Sequence, residues 1–110
     1  GGICGFNNEE ITNCICNNTI NGNSTLGGLV GKISFGTLNN SIATTTFTNK
    51  TAKQGSLIYT IQEISTIKNC YQTNDTEHPL IAKDHSEATI EEIHHKPNLT
   101  PKEIQSLLLV

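Results

Sequence analysis

Apolar and polar residues alternate over short distances along most of this chain. Ile, Leu and Val stand between Thr, Asn and Ser in brief runs. Short alternating runs rich in β-branched residues predict strands rather than helices. The runs also recur. Ile11-Thr12-Asn13-Cys14, Leu38-Asn39-Asn40-Ser41 and Ile67-Lys68-Asn69-Cys70 share one order: aliphatic, any residue, Asn, then a small Cys or Ser. The steps between them are 27 and 29 residues, and nine places after the first two aliphatics come Ile20 and Phe47, both large and apolar. The third such place holds polar Thr76, so the repeat is expected to end by about His78. Strand character at this period predicts one turn of a parallel β-solenoid per unit. Each turn roofs the apolar side of the one beneath, at ~4.8 Å.

Each unit opens on a glycine-rich stretch. Gly27-Gly28-Leu29-Val30-Gly31 is the fullest copy and Gly1-Gly2-Ile3-Cys4-Gly5 is close to it. Gln54-Gly55-Ser56-Leu57-Ile58-Tyr59 is a worn copy, with Ser56 and Tyr59 where glycines stood. Glycine there lets backbones pass closely or φ turn positive. Gly-Gly-Leu-Val-Gly followed by aliphatic-x-Asn-Cys/Ser resembles the GLUG repeat of large bacterial and protist surface proteins. The resemblance covers roughly residues 1–76. It implies a structural and adhesive segment of a cell-surface or secreted protein, located outside the cell. The partners it implies are neighbouring repeats of the parent chain and a host glycan or protein. It carries over no activity, because the repeat does not resemble the peptidase domain that some GLUG proteins contain.

The predicted units are 1–26, 27–53 and 54–78, with a hinge and a helical C-terminal cap over 79–110. In the first unit, strands are expected at Gly1–Gly5, Ile11–Cys16 and Thr19–Asn21. Its corners are expected at Phe6–Glu10 and Asn17-Asn18, where Asn signals turns. The second unit repeats this with Leu29-Val30, Gly36–Ile42 and Thr44–Thr48. The third has Leu57–Ile61 and Ile64–Gln72. Beyond it, Ile90 and Ile93 stand three apart with Glu91-Glu92 between, which predicts a helix over Ser86–His95 ended by Pro97. Thr100-Pro101-Lys102-Glu103 is a capping box opening a second helix, with Ile104, Leu107 and Leu108 on one side. These two helices are expected to cover the open last turn. The sharper alternative has Leu107–Val110 docking a partner.

Composition agrees with a solenoid. The chain of 110 residues is 35% hydrophobic but only 15% charged, leaner in charge than ordinary globular domains. Net charge is −3, and all seven basic residues are Lys. No basic field or dense aromatic set offers itself to nucleic acid. No apolar run is long enough for a membrane span. The chain opens on Gly1 inside the repeat pattern, which reads as a piece of a longer solenoid.

Little catalytic chemistry is on offer. Cys14 and Cys70 share a register position two turns apart, ~9.6 Å by strand spacing and beyond disulfide reach. With Cys4 and Cys16 they match no zinc pattern, and small buried apolar residues are the reading they support. His78, His85, His94 and His95 fit no ligand spacing. Thr44, Thr46 and Thr48 alternate like an ice-binding rank, but in one unit only. Asn13, Asn40 and Asn69 are expected to form a buried amide ladder. Sequons stand at Asn17, Asn23, Asn39, Asn49, Asn74 and Asn98.

The expected fold is therefore all-β: a short right-handed parallel β-solenoid of about three coils with a small helical C-terminal cap. The expected function is structural and adhesive, without catalytic, cofactor-binding or metal-binding residues. Ligand contact is expected on the loops Phe6–Glu10, Asn17–Thr25 and Asn49–Gln54. The alternatives are a fragment of a carbohydrate-active β-solenoid enzyme and of a phage or viral fibre. The enzyme would need stacked carboxylates, and Glu9, Glu10, Glu63 and Asp75 supply no pair in register.

Overall fold

The computed structural model of the chain describes residues 2–22, 26–49, 53–74, 78–84, 87–97 and 99–108. The first turn contains β1 (Cys4–Asn7), β2 (Glu10–Thr12) and β3 (Ile15–Ile20). The second contains β4 (Leu26–Gly27), β5 (Val30–Ser34) and β6 (Thr37–Phe47). The third contains β7 (Gln54–Gly55), β8 (Ile58–Gln62) and β9 (Thr66–Gln72). Two further strands, β10 (Ile81–Lys83) and β11 (Thr89–His95), lie on the third turn, and α1 (Pro101–Leu108) follows them. Every described strand pair is parallel and joins equivalent strands of successive turns. One wall runs β1-β5-β8-β10 and another β2-β6-β9-β11, with β3 also on β6 and a short pair β4-β7. This is a parallel β-solenoid of about three turns with one short C-terminal helix.

The register follows the apolar pattern. Ile11 stands over Leu38, Leu38 over Ile67, and Ile67 over Ile90. A second apolar column runs Cys4, Val30, Ile58, Ile81. Val30 and Ile58 of one column and Leu38 and Ile67 of the other are fully buried, as are Leu29 and Leu57 beside them.

The Asn-Cys/Ser signature has a geometric cause. Asn13, Asn40 and Asn69 have φ of 56°, 52° and 53°, the left-handed region that Asn tolerates best after Gly. Each bends the chain within one wall, between β2 and β3 in the first turn and inside β6 and β9 in the next two. The Cys or Ser that follows then bonds back to the carbonyl two residues earlier: Cys14 Sγ to Thr12 O at 3.2 Å, Ser41 Oγ to Asn39 O at 3.0 Å and Cys70 Sγ to Lys68 O at 3.2 Å. The expected amide ladder is present as one rung, Asn40 Nδ2 to Asn13 Oδ1 at 2.6 Å. Among the described residues no rung reaches the Asn69 side chain. A second corner uses the same φ at Phe35 (53°) and Glu63 (61°). In the first turn the Asn7 side chain serves instead, accepting from Glu9 N at 3.1 Å and donating to Thr37 O at 3.2 Å.

Several expectations are corrected. Asn17-Asn18 is no corner: β3 runs straight through it, and β6 is likewise continuous from Thr37 to Phe47. The bend lies at the Asn of the signature. The helix expected over Ser86–His95 is strand β11, paired with β9 in full register, so the stack does not end at His78. Glu92 (φ 53°) occupies the Asn corner there. Once that corner resets the pleat, Ile90 and Ile93 both point inward at a helix-like spacing. α1, the one helix among the described residues, packs against β6 of the second turn, where the expectation put it over the last turn. Its capping box forms as expected, with Glu103 N donating to Thr100 Oγ1 at 3.2 Å and Thr100 N to Glu103 Oε1 at 3.3 Å. Thr76, Leu109 and Val110 lie outside the described residues.

Glycine acts here by close approach, since no described glycine has positive φ. A Cβ on Gly55 would meet Ile58 O at 1.9 Å, and one on Gly28 would meet Ser56 O at 2.0 Å. Beside Gly28 lies a buried polar cluster. Gln72 Oε1 accepts from Thr45 N at 3.0 Å, its Nε2 donates to Ser56 O, and Thr45 Oγ1 donates to Asn18 Oδ1 at 2.8 Å.

Candidate ligand-binding groove

The wall β1-β5-β8-β10 carries a groove of about 290 Å³ on its outer surface, lined by Gly5, Gly31, Lys32, Tyr59, Thr60 and Gln62. Register builds it. Val30 faces Cys4 and Ile58, so Gly5, Gly31 and Tyr59 follow one another across three turns at the next position. The two glycines leave a bare trough, and a Cβ added at Gly5 would meet nothing within 4 Å. Tyr59 replaced the glycine of its unit and supplies a largely buried ring at the trough's end, 8% exposed.

Beside this line runs the column Phe6, Lys32, Thr60, Lys83. Lys32 Nζ sits 5.3 Å from the centroid of half-exposed Phe6, and Lys83 Nζ sits 5.8 Å from that of Tyr59. Cations held over ring faces are mildly stabilised there. The four strands of this wall contain Lys32 and Lys83 and no acidic residue. Neither ammonium has a carboxylate partner among the described residues, whereas Lys68 on the next wall pairs with Glu91 at 3.5 Å. In a chain of net charge −3 this wall is locally cationic.

The other candidates are placed as follows. Glu10, Thr37, Thr66 and Thr89 form one column, so no second carboxylate stacks on Glu10. Glu9 and Glu63 stand at exposed corner positions, and Asp75 lies outside the described residues. All four cysteines are free thiols. Burial pushes the Cys70 thiol up to about 11, and bonds to backbone around Ser41 and Lys68 pull back only in part. Burial also raises Cys16. Tyr71 is raised by burial and then by the nearby Glu92 carboxylate. Among the described residues no three His, Cys, Asp or Glu gather in a way that could hold a metal. No described helix is long and apolar enough to cross a membrane.

The histidines are dispersed. His95 Nε2 lies 3.1 Å from Ser56 Oγ, His94 stacks on Tyr71, and His78 meets the edge of Phe47, while His85 lies outside the described residues. The threonine rank is tied into coil-to-coil bonds, with Thr44 Oγ1 2.6 Å from Thr73 Oγ1 and Thr46 Oγ1 accepting from Asn74 Nδ2 at 2.7 Å. Of the sequons, Asn17 and Asn74 are exposed, Asn39 is half-buried and Asn49 donates to Gly22 O at 3.0 Å. Asn23 and Asn98 lie outside the described residues.

Of the three loops expected to touch ligand, Phe6–Glu10 is largely strand and corner, and Asn17–Ile20 belongs to β3. Residues 23–25 and 50–52 lie outside the described residues. The loop reading missed Lys32, Tyr59, Thr60 and Gln62, which sit on strands. The signal was available: aligning Gly5, Gly31 and Tyr59 puts two bare positions beside a ring. Comparison with protein-family models, with curated proteins and with solved structures returns no match.

Proposed function

We propose that this chain is a structural and adhesive repeat segment of a cell-surface or secreted protein, of the GLUG type that its glycine and Asn-Cys/Ser motifs resemble. The observation that carries this reading is the unbroken register of the coils. Equivalent residues of successive turns stack as columns, and in the two apolar columns Val30, Ile58, Leu38 and Ile67 are fully buried in the middle of the pile, while Cys4 and Ile11 at one end and Ile81 and Ile90 at the other are half-buried. A stack of this kind supplies stiffness and long outer walls, which suit a stalk that also presents contacts. The carboxylate column that a glycoside-cleaving solenoid would need holds Glu10 with three threonines.

The test is direct. The purified chain, coupled to beads, is presented to a panel of immobilised cell-surface glycans and to intact cells, and in parallel is incubated with the same glycans and analysed for cleavage. The proposal expects retention on at least one surface with no cleavage products. Cleavage, or retention no greater than that of uncoupled beads on every surface, overturns it.

A further inference from the structure

We infer that the groove over Gly5, Gly31 and Tyr59 is a saccharide site selective for acidic, uronate-type sugars. This deepens the adhesive reading and rests on it. Three features of the wall fix the ligand's chemistry. First, its charge is complementary to an anion. Lys32 and Lys83 are the wall's only charged residues, and no described carboxylate neutralises them.

Second, the two cations stand two turns apart in one column. Strand spacing puts that separation at ~10 Å, the span of two linked pyranose rings. A chain with a carboxylate on alternate sugars would present its charges to both. Third, the groove around Lys32 is lined by bare glycine backbone at Gly5 and Gly31, by Tyr59 and by the Thr60 and Gln62 side chains, and Lys83 stands just beyond it, on the far side of Thr60. The largely buried Tyr59 closes the trough's end, and a hydroxyl and an amide can each donate to or accept from sugar hydroxyls.

An acidic peptide fits less well. Peptides that lie on sheets gain most from adding a strand at an open edge. Here the backbone of β5 and β8 is already engaged on both sides, β5 by β1 and β8, and β8 by β5 and β10. Along β5 and β8, which carry five of the six lining residues, only side chains remain on offer, and these are the ones a sugar uses.

The experiment is isothermal titration of the intact chain with three probes: hexagalacturonate, neutral maltohexaose and hexaglutamate. The expected result is binding of the uronate that weakens as NaCl is raised, with at least tenfold weaker binding of the other two. Lys32→Gln should weaken uronate binding about tenfold, ~1.4 kcal/mol. Gly5→Leu should abolish it by filling the trough, and Gly5→Ala, whose Cβ meets nothing within 4 Å, serves as the control that keeps the thermal melting point.

Equal binding of hexaglutamate overturns the saccharide assignment. Uronate binding that Lys32→Gln and Gly5→Leu both leave intact places the sugar elsewhere and overturns the groove. A wild-type chain that binds no uronate at millimolar concentration, yet is retained on cells, removes this inference and leaves the adhesive reading standing. Loss of both removes the two together.

Discussion

Ile15 and Ile42 are the same residue in the same column, one turn apart, yet Ile15 is 54% exposed and Ile42 fully buried. Ile11 and Leu38 differ in the same sense, as do Asn13 and Asn40. The local sequences are close to equivalent, so the difference lies in neighbours. A residue of the second turn has a turn on each side, and on this wall α1 also touches β6. A residue of the first turn has a described turn on one side only. In a solenoid, burial belongs to position in the stack more than to the residue, which is why stability is close to a sum over interfaces between turns.

The sharpest way to break that comparison is a pair of glycines. Gly28→Ala would drive a methyl group to 2.0 Å from Ser56 O, backbone that the next turn holds in place. We expect loss of more than about 3 kcal/mol, or failure to fold. Gly5→Ala, in the first turn, meets nothing within 4 Å and should change stability by no more than ~0.5 kcal/mol. Urea denaturation measures both. Equal losses would mean that the first turn is packed like the second.

Leu38→Ala against Ile11→Ala is the next pair. Leu38 is fully buried beneath and above its column partners. Its truncation should cost about 3 kcal/mol, and that of half-buried Ile11 about 1 kcal/mol. Comparable midpoint shifts in urea would contradict the role of the open end.

The sequence made the repeat legible because stacking demands equivalent residues at equivalent places. Ile11, Leu38 and Ile67 could be aligned by eye, and the register between them held. The corners were harder to read. Asn-Asn pairs draw attention as turns, but only φ distinguishes a corner Asn from one in a straight strand, and Asn17-Asn18 proved to be the latter. The fourth-layer strands were hidden for a related reason. Glu92 and Ile93 replace the Asn-Cys/Ser signature, and the left-handed corner puts Ile90 and Ile93 at the spacing of a helix face. Of the groove, the glycines were visible, while the lysines became neighbours of Tyr59 only once the turns were stacked.

High pH separates the turns through their thiols. Cys70 is raised from 9.0 to about 11 by burial, so its neutral form is favoured in the folded chain. Above pH 9 the unfolded chain loses that proton and the folded one keeps it. Stability is therefore full below pH 9 and falls up to about pH 11, by on the order of 3 kcal/mol at most. Cys70→Ser should flatten this part of the pH profile of the urea midpoint. A profile that is the same in the variant would show that the thiol does not titrate there.

Asn40→Ala should cost about 2 kcal/mol, since it removes the bond to Asn13 and places a Cβ-bearing residue without a local hydrogen-bonding side chain at φ 52°. Asn40→Gly keeps the corner and loses only the amide, so it should cost about half as much. Equal losses in the two variants would take the corner out of the account and leave the amide alone.

Glu92→Asn carries the comparison to the far end of the stack and reverses its sign. Glu92 holds φ 53° with a side chain poorly suited to it, at the place where the three earlier turns use Asn. Left-handed conformation costs a typical residue roughly 1–2 kcal/mol, and Asn relieves part of this through local bonding. The contact that Glu92 gives up, 3.3 Å to His94, is exposed on both sides and adds little. The variant should gain about 0.5–1 kcal/mol and slow amide hydrogen exchange across β11, whose backbone depends on that corner to stay paired with β9. Slower exchange confined to β11 would show the last strand breathing independently of the turns beneath it. Slower exchange spread through all the turns would show that the stack opens as one unit, and unchanged or faster exchange would remove strain from the description of this corner.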